Sequence, residues 1–392
     1  SKRGGIWYTP QSGIWQTVWL EAVPKSYVRN LRITPDFDGA AVDISAEIVG
    51  DEDAYAHFGG ESYLLPARIP VQDFEPWSPE HPKLYGFSVT CGEDEVQSYF
   101  AMRKFSVEKD KDGVARLFLN NEPYFHNGLL DQGYWPDGLY TAPSDEAMLF
   151  DIQLMKDMGF NMLRKHIKIE PMRWYYHCDR LGMLVWQDMV NGGSAYKHWF
   201  VTYLATLMNW NHISFSDDEK HAGLLSRLHP EGKDEFRREI TETIAFLYNH
   251  PSIVVWVPFN EGWGQFDALA ACEQIRTLDS SRLVDHASGW FDQKGGDILS
   301  LHYYFLKLKF KPESKRAAAL TEFGGYSLSI PGHSCCKKVY GYKKFNSTGT
   351  LTYGYIDLIR QTILPAVKKG IGATVYTQLS DIEEETNGIY TY

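Results

Sequence analysis

Two glutamates in this 392-residue sequence stand where a proton donor or a nucleophile would be useful. Glu261 follows the apolar run Ile253-Val-Val-Trp-Val257 and belongs to the group Asn260-Glu261-Gly262-Trp263; Glu322 ends Ala317-Ala-Ala-Leu-Thr321 just before Phe323-Gly324-Gly325. A short apolar run bounded by Pro251 and Pro258 reads as a strand buried on both faces, as in a parallel sheet. In an α/β barrel, polar residues at the C-terminal ends of such strands are where chemistry sits. A carboxylate placed there must be used or well paired, because an unpaired buried charge is costly. One ionised and one protonated carboxyl are what cleavage of a glycosidic bond requires: the first attacks the anomeric carbon, the second protonates the leaving oxygen. A cationic Arg164 beside one of them would hold it charged and so divide the two roles. The alternative for Glu261 is that it opens the next helix, where the positive dipole end favours a carboxylate.

The two glutamates can meet only if the strands that carry them share one barrel mouth. After Asp110-Lys-Asp-Gly113, strand-like and helical segments alternate, which predicts repeated βα units over residues 111–392. Eight strands are expected: Tyr124 to Leu130, Asn161 to His166, Met183 to Asp188, Ile253 to Val257, Leu283 to His286, Ile298 to His302, Ala318 to Glu322 and Gly372 to Tyr376. Their ends would gather Arg164, His166, Asp188, Asn260, Glu261, His302, Tyr303, Glu322 and Tyr376 on one face, with Trp263 nearby. Ser144 is the expected N-cap of the first helix, whose apolar stripe would be Phe150, Leu154, Met155 and Met158. Residues 214–233 read as a polar, mobile insert, and Asp381-Ile-Glu-Glu-Glu385 as a solvated loop rather than a metal site.

Upstream, short β-rich runs between Tyr27 and Val107 alternate with turn residues and show no helical period. That pattern predicts a small immunoglobulin-like β-sandwich over residues 25–110, followed by a (β/α)8 TIM barrel. Residues 5–23 look like the last strands of a β-domain, with Trp15, Val18 and Leu20 at strand spacing.

Composition narrows the partners. A net charge of -11 and the lack of a Lys/Arg-rich patch argue against a nucleic-acid backbone. No segment is apolar for long enough to span a bilayer. Twelve Trp, 24 Tyr and 21 Phe supply rings that can act as sugar platforms, although large cores use them too. The five cysteines include no pair at zinc-ligand spacing and form a poor disulfide framework, which favours a reduced, cytoplasmic setting. Ser1-Lys2-Arg3-Gly4-Gly5 reads neither as a signal peptide nor as a natural start.

Several stretches resemble glycoside hydrolase family 2, the β-galactosidase, β-glucuronidase and β-mannosidase group. They are Ser12-Gly-Ile-Trp-Gln-Thr-Val-Trp-Leu-Glu21, Trp77-Ser-Pro-Glu80, Asp151-Ile-Gln-Leu-Met-Lys-Asp-Met-Gly-Phe-Asn-Met-Leu-Arg164, His250-Pro-Ser-Ile-Val-Val-Trp256 with Asn260-Glu261, and Thr321-Glu-Phe-Gly324. The resemblance implies Glu261 as acid/base, Glu322 as nucleophile, Arg164 beside the nucleophile, and Asn260 on the sugar's 2-hydroxyl. It makes Tyr303 a candidate donor to the nucleophile, in competition with Tyr304. It also makes residues 1–24 the remnant of a jelly-roll, sugar-binding-like domain. The expected activity is that of a retaining exo-β-glycosidase of β-galactosidase type on small-molecule or oligosaccharide β-glycosides. It would need no cofactor or metal, leaves room for a structural cation, and leaves homo-oligomerisation open. The branch signals conflict: His166 lies two residues after Arg164 rather than three, and Trp186-Gln187-Asp188 looks more like the mannosidase branch. Asn387-Gly388 lacks the lysine associated with uronic acids. A β-mannosidase, a β-glucuronidase and a catalytically silent carbohydrate-binding module are the rival expectations.

Overall fold

A computed structural model of the chain describes residues 3–210, 213–304, 308–334 and 336–392; Ser1, Lys2 and Cys335 lie outside it. Seven strands come first: β1 (Tyr27–Asp36), β2 (Ala41–Val49), β3 (Ala54–Phe58), β4 (Glu61–Leu64), β5 (Ala67–Pro70), β6 (Tyr85–Cys91) and β7 (Asp94–Phe100). They form two antiparallel sheets, in the orders β1-β2-β5 and β4-β3-β6-β7. Alternate side chains of both sheets, among them Ile33, Val42, Ile44, Ala56, Ile69, Val89 and Phe100, enclose one core. The three strands between Ala54 and Pro70 are short and punctuated by Gly59-Gly60 and Pro66, which is why their period does not stand out in the sequence.

A three-stranded sheet links this unit to the barrel: β8 (Phe105–Lys109), β9 (Ala115–Leu119) and β10 (Glu122–Pro123). Phe105, Leu117 and Leu119 join Trp77 in closing the lower end of the barrel, where they pack with Met162, Trp186, Val255, Ala319 and Val375. Each of these buried side chains contributes about 1.5–3 kcal/mol, so the floor is firmly fixed.

The barrel strands are β11 (His126–Asp131), β12 (Met162–Lys165), β13 (Leu184–Asp188), β14 (Ile253–Val257), β15 (Leu283–Val284), β16 (Ile298–Tyr303), β17 (Ala317–Gly324) and, last in the chain, β20 (Ile371–Thr377). A small pair, β18 (Tyr326–Ser327) and β19 (Lys343–Lys344), lies between the last two. The eight form one parallel sheet in the order β15-β14-β13-β12-β11-β20-β17-β16. The cylinder is nearly closed: β15 and β16 share no ladder, but Asp297 joins them, its N–H donating to Val284 O and its carboxylate accepting from Val284 N, both at 2.8 Å.

The outer helices are α1 (Asp145–Asp157), α2 (Met172–Leu181), α3 (Ala205–Trp210), α4 (Pro230–Leu247), α5 (Ala268–Leu278), α6 (Thr348–Leu358) and α7 (Leu364–Lys369). The barrel therefore departs from a regular (β/α)8 alternation, with no helix between β15 and β17 among the described residues. Ser144 caps α1 by accepting from Ala147 N, as expected. Of the expected stripe, Met155 is buried and Leu154 packs partly buried against the core, while Phe150 and Met158 are exposed and Met148, Ile152 and Asp151 complete the inner face. Tyr390 and Tyr392 hydrogen-bond the Asp151 carboxylate, and this turns the helix so that a polar residue faces inward.

Three further expectations change. No strand forms between residues 10 and 24, where Val18, Trp19 and Leu20 are exposed, because a strand needs a neighbour and none of the described residues supplies one. Within residues 214–233, Ala222 and Leu225 are buried, and Asp217 accepts from Gln265 and from the N–H of Ala268, so the insert is tied to the start of α5. The acidic loop near the C-terminus is not solvated, for Ile382 and Glu385 are buried. No helix among the described residues is long and apolar enough to cross a membrane.

Candidate active site

The C-terminal ends of the barrel strands surround a cavity of about 310 Å³ whose walls include Asn260, Glu261, His166, Trp263 and Glu322. Glu261 does not open a helix, since α5 begins only at Ala268. Its backbone is in the left-handed region, at φ +51°, unusual for a residue with a side chain. The N–H of Glu261 donating to Ser288 O at 2.9 Å and the N–H of Trp263 donating to Asn260 O at 3.0 Å hold that turn. Strain of this kind persists only where the surroundings enforce it, and it turns the carboxylate toward Glu322.

Glu322 ends a run of small residues in β17 that lets its strand approach the barrel axis. Its Oε1 accepts from Arg164 Nη1 at 3.3 Å, and its Oε2 from the Tyr304 hydroxyl at 2.6 Å. Glu261 keeps different company: His302 Nδ1 lies 2.7 Å from its Oε1, and Trp263 Nε1 donates to its Oε2 at 3.3 Å. His302 Nδ1 is also 3.6 Å from Glu322 Oε2. One ligand-type atom from each of Glu261, His302 and Glu322 lies within 4.8 Å of the others. That spacing would suit a metal ion, but the hydrogen bond between His302 and Glu261 engages two of the atoms that an ion would need.

Arg164 is fully buried and uses its whole guanidinium fork. Nε and Nη2 grip the two oxygens of Asp188 at 2.9 and 3.1 Å, Nη2 also reaches Asn260 Oδ1 at 2.9 Å, and Nη1 reaches Thr321 O at 3.0 Å as well as Glu322. Asp188 lies beneath the cavity rather than in its wall, where it binds Arg164 and, at 2.6 Å, His166 Nδ1. Burial pushes the Asp188 carboxyl up, but the Arg164 charge outweighs it and holds the group below its ordinary value. With Asn260 Oδ1 occupied by Arg164, its amide N–H2 is the end left for the cavity.

His302 and Glu261 set each other's charge. Burial alone would push Glu261 up and His302 down. The hydrogen bond with His302 reverses the first, and the Glu322 charge together with the bond to Glu261 reverses the second, so Glu261 lies below and His302 above its ordinary value. Glu261 as an isolated high-pKa acid is therefore replaced by an acid–imidazole pair.

Two expected site residues lie elsewhere. Tyr303 faces the outer side of β16, where it lines a separate hollow with Leu308 and Ala366, and the hydroxyl that reaches Glu322 belongs to Tyr304. Alternation along the segment accounts for this: His302 and Tyr304 reach the two glutamates, and Tyr303 between them points the other way. Tyr376 packs behind the site against Phe323, its hydroxyl accepting from Tyr326 N, and the next residue, Thr377, faces the cavity instead.

Several other wall residues carry no local signal in the sequence. Ile6, Trp7 and Tyr8 close one side of the cavity, and Trp7 meets Trp263 edge-on with ring centroids 5.2 Å apart. The acidic loop holds this segment. Glu383 accepts from Arg3 Nε and Thr9 N, both at 3.0 Å, Glu384 accepts from Gly5 N at 3.0 Å, and Glu385 binds the Tyr8 hydroxyl. Glu385 is thus a third carboxyl in the cavity wall; it also accepts from Asn387 Nδ2 at 2.9 Å, and burial holds it above its ordinary value. The signal was absent because 377 positions separate Tyr8 from Glu385.

Comparison with known proteins agrees with this architecture. Residues 117–362 match the family model described as glycosyl hydrolases family 2, TIM barrel domain. A β-galactosidase of Leuconostoc mesenteroides is 25% identical over 426 residues, a match covering 96% of this chain and 38% of the relative. A β-galactosidase of Lactococcus lactis is 27% identical over 296 residues, covering 71% of this chain and 27% of the relative. This chain thus spans well under half the length of either protein. Among solved structures, a β-D-glucuronidase of Dictyoglomus thermophilum superposes with a TM-score of 0.69 at 15% identity, over 93% of this chain and 66% of that one. A family 2 β-galacturonidase of Eisenbergiella tayi, bound to galacturonate, superposes with a TM-score of 0.66 at 19% identity, over 92% of this chain and 66% of that one. These likenesses are of fold.

Proposed function

The chain belongs to glycosyl hydrolases family 2, and from that premise we propose that it hydrolyses terminal β-linked hexosides with retention, as an exo-acting enzyme of β-galactosidase type. The observation that carries the reading is the pair Glu261 and Glu322, with carboxylate oxygens within 4.8 Å of each other across the cavity. Retaining enzymes keep their carboxyls about 5–5.5 Å apart, whereas inverting enzymes need about 6.5–9.5 Å to admit a water.

The unlike partners of the two groups divide the roles. Glu322, beside the Arg164 cation, is the nucleophile. Its oxygen forms a bond to the anomeric carbon while the bond from that carbon to the leaving oxygen breaks, and the leaving oxygen takes the proton that Glu261 shares with His302. In the second half Glu261 removes a proton from water, whose oxygen displaces Glu322. Asn260, oriented by Arg164, offers its amide N–H2 to a sugar hydroxyl in a contact that can strengthen as positive charge develops on the ring. Tyr304 orients Glu322, Asp188 orients Arg164 and His166, and no organic cofactor enters any step. The seven-stranded unit of residues 25–110 we take to be the immunoglobulin-like domain that precedes the barrel of residues 111–392, with residues 1–24 as the tail of a sugar-binding-like domain.

A neutral hexoside is favoured over a uronide. A sugar carboxylate calls for Arg or Lys, and among the described residues lining the cavity none is either, whereas three are glutamates. A panel of nitrophenyl β-glycosides with wild type, Glu322→Gln and Glu261→Gln tests the proposal. Both substitutions should lower kcat at least ~10³-fold for substrates with poor leaving groups. Added azide should rescue only Glu261→Gln, giving the β-glycosyl azide. Near wild-type turnover by Glu322→Gln would rule the mechanism out, and silence of the wild type on every sugar would leave a binding module.

A further inference from the structure

Resting on the reading of Glu261 and Glu322 as proton donor and nucleophile, we propose that His302 is a proton carrier between them. It holds the acid proton in the free enzyme and passes it to Glu261 as Glu322 bonds to the sugar. The need for a carrier arises in the site itself. Glu261 lies below its ordinary value and is therefore ionised at neutral pH. An ionised carboxylate has no proton for a leaving oxygen, so a neighbour must hold it.

His302 is placed to do so. Its side chain is 2% exposed, and its Nδ1 sits between the carboxylates, 2.7 Å from Glu261 Oε1 and 3.6 Å from Glu322 Oε2. The ring rests on the bare backbone of Gly289, where a Cβ would come within 2.5 Å of ring carbons. On its far side Nε2 lies 3.3 Å from the Ser288 hydroxyl, which can accept from it. Both ring nitrogens thus face acceptors, as an imidazolium requires. The imidazole of His166 is bound to Asp188 instead. The charged groups around His302 are Glu261 after β14, Glu322 on β17, Arg164 on β12 and Asp285 beyond β15. Burial holds the Asp285 carboxyl up, and the Ser300 hydroxyl donates to it at 2.8 Å. The two glutamates outweigh burial and Arg164, which leaves His302 above its ordinary value.

The charge on Glu322 is the trigger. As its oxygen bonds to the anomeric carbon, the carboxylate becomes a neutral ester, and the imidazolium loses one of its two anionic partners. The Nδ1 proton then crosses the 2.7 Å bond to Glu261 and goes on to the leaving oxygen, which keeps the electron pair of the broken bond. The Nε2 proton stays on Ser288 throughout, so the ring never has to turn. In the second half Glu261 takes a proton from water and returns it to His302 as Glu322 leaves and regains its charge.

The test is nitrogen NMR of the full chain labelled at histidine, with the His302 signals assigned by their loss in His302→Gln. The free wild type at about pH 7 should show both His302 nitrogens protonated. In enzyme trapped as an ester at Glu322 by a 2-deoxy-2-fluoro β-glycoside, the pH at which Nδ1 loses its proton should fall by at least about one pH unit. A neutral His302 in the free enzyme, or the same midpoint in the ester, would overturn the carrier and leave the glycosidase reading intact. No ester at Glu322 would overturn both. Kinetics give an independent readout. For a phenyl β-glycoside, kcat/KM of His302→Gln should lie within about threefold of wild type near pH 5 and at least about tenfold below it near pH 8, where Glu261 alone no longer keeps the proton. A 2,4-dinitrophenyl β-glycoside, whose leaving group departs without a proton, should change by less than about threefold at both. Equal losses on the two substrates, or at the two pH values, would reduce His302 to a structural part and overturn the carrier.

Discussion

Replacing Arg164 by Met tests the electrostatic centre of the site most directly. The new side chain nearly fills the same space, so a packing defect should cost less than about 1.5 kcal/mol. What is lost is the partner of Asp188, which is 1% exposed and would keep only His166. Removing one member of a buried ion pair typically costs about 3–5 kcal/mol, because the other charge is left in a medium that cannot solvate it. For a chain of this length that corresponds to a fall of about 4–6 °C in Tm. The pH dependence separates the two causes. In the wild type the Asp188 carboxyl is held below its ordinary value, so its contribution is present above the unfolded pKa and is lost as pH falls through the folded one. In the variant, burial prevails and the folded pKa rises, so stability declines as pH climbs from the unfolded value. The difference between the proteins should therefore widen from about pH 4 to neutrality. Urea unfolding at both pH values measures it. A difference below about 1.5 kcal/mol at neutral pH, or one equal at the two pH values, would refute the account. Activity should fall by about 10²-fold or more, because Asn260 and Glu322 lose charge-assisted bonds of about 1.5–3 kcal/mol each. Arg164→Lys should recover part of the stability but little of the activity, since one ammonium cannot reproduce the fork.

Two further outcomes are expected. Tyr304→Phe removes the 2.6 Å bond to Glu322 and the 2.8 Å contact with Thr377 Oγ1, but keeps the ring stacked on Tyr342 with centroids 3.7 Å apart. Its kcat/KM should fall by about 10–100-fold with melting little changed, and a fall of less than about twofold would dismiss Tyr304 as an orienting group. Glu385→Gln keeps the shape and the bond from Asn387 but removes an acidic group from a cavity wall with no Lys or Arg among its described residues. It should narrow the preference for a neutral hexoside over the matching uronide by about tenfold, a change of about 1.4 kcal/mol in relative transition-state binding. An unchanged ratio of kcat/KM values would remove Glu385 from specificity.

The barrel was legible because its strands are local signals. Ile253–Val257 is apolar on both faces and bounded by prolines, and the structure keeps it at the residues expected. The polar residues at the ends of such strands must point into the mouth, so Glu261, Glu322, Arg164 and Asn260 are gathered by the strand pattern alone. Tyr303 and Tyr304 are not separated by their place at a strand end. Strand alternation separates them: with His302 on the inner face, Tyr304 shares that face and Tyr303 is outside. The rotation of α1 was hidden, because an aspartate on its inner face is satisfied by tyrosines 239 and 241 positions away.

The acidic run Asp381-Ile-Glu-Glu-Glu385 carries the same lesson into the site. Judged by charge alone, four acids in five residues belong in water. The opposing consideration is that residues 3–9 offer a guanidinium, two backbone N–H groups and two hydroxyls in one short stretch, and the three glutamates accept from these. Mutual satisfaction makes burial affordable for both segments, and Trp7 and Tyr8 are thereby fixed in the cavity wall. Neither segment has a reason to order without the other. The wall is therefore a property of their meeting, and its chemistry, a tyrosine hydroxyl on a carboxyl raised by burial, exists only once the barrel has brought the two ends of the sequence together.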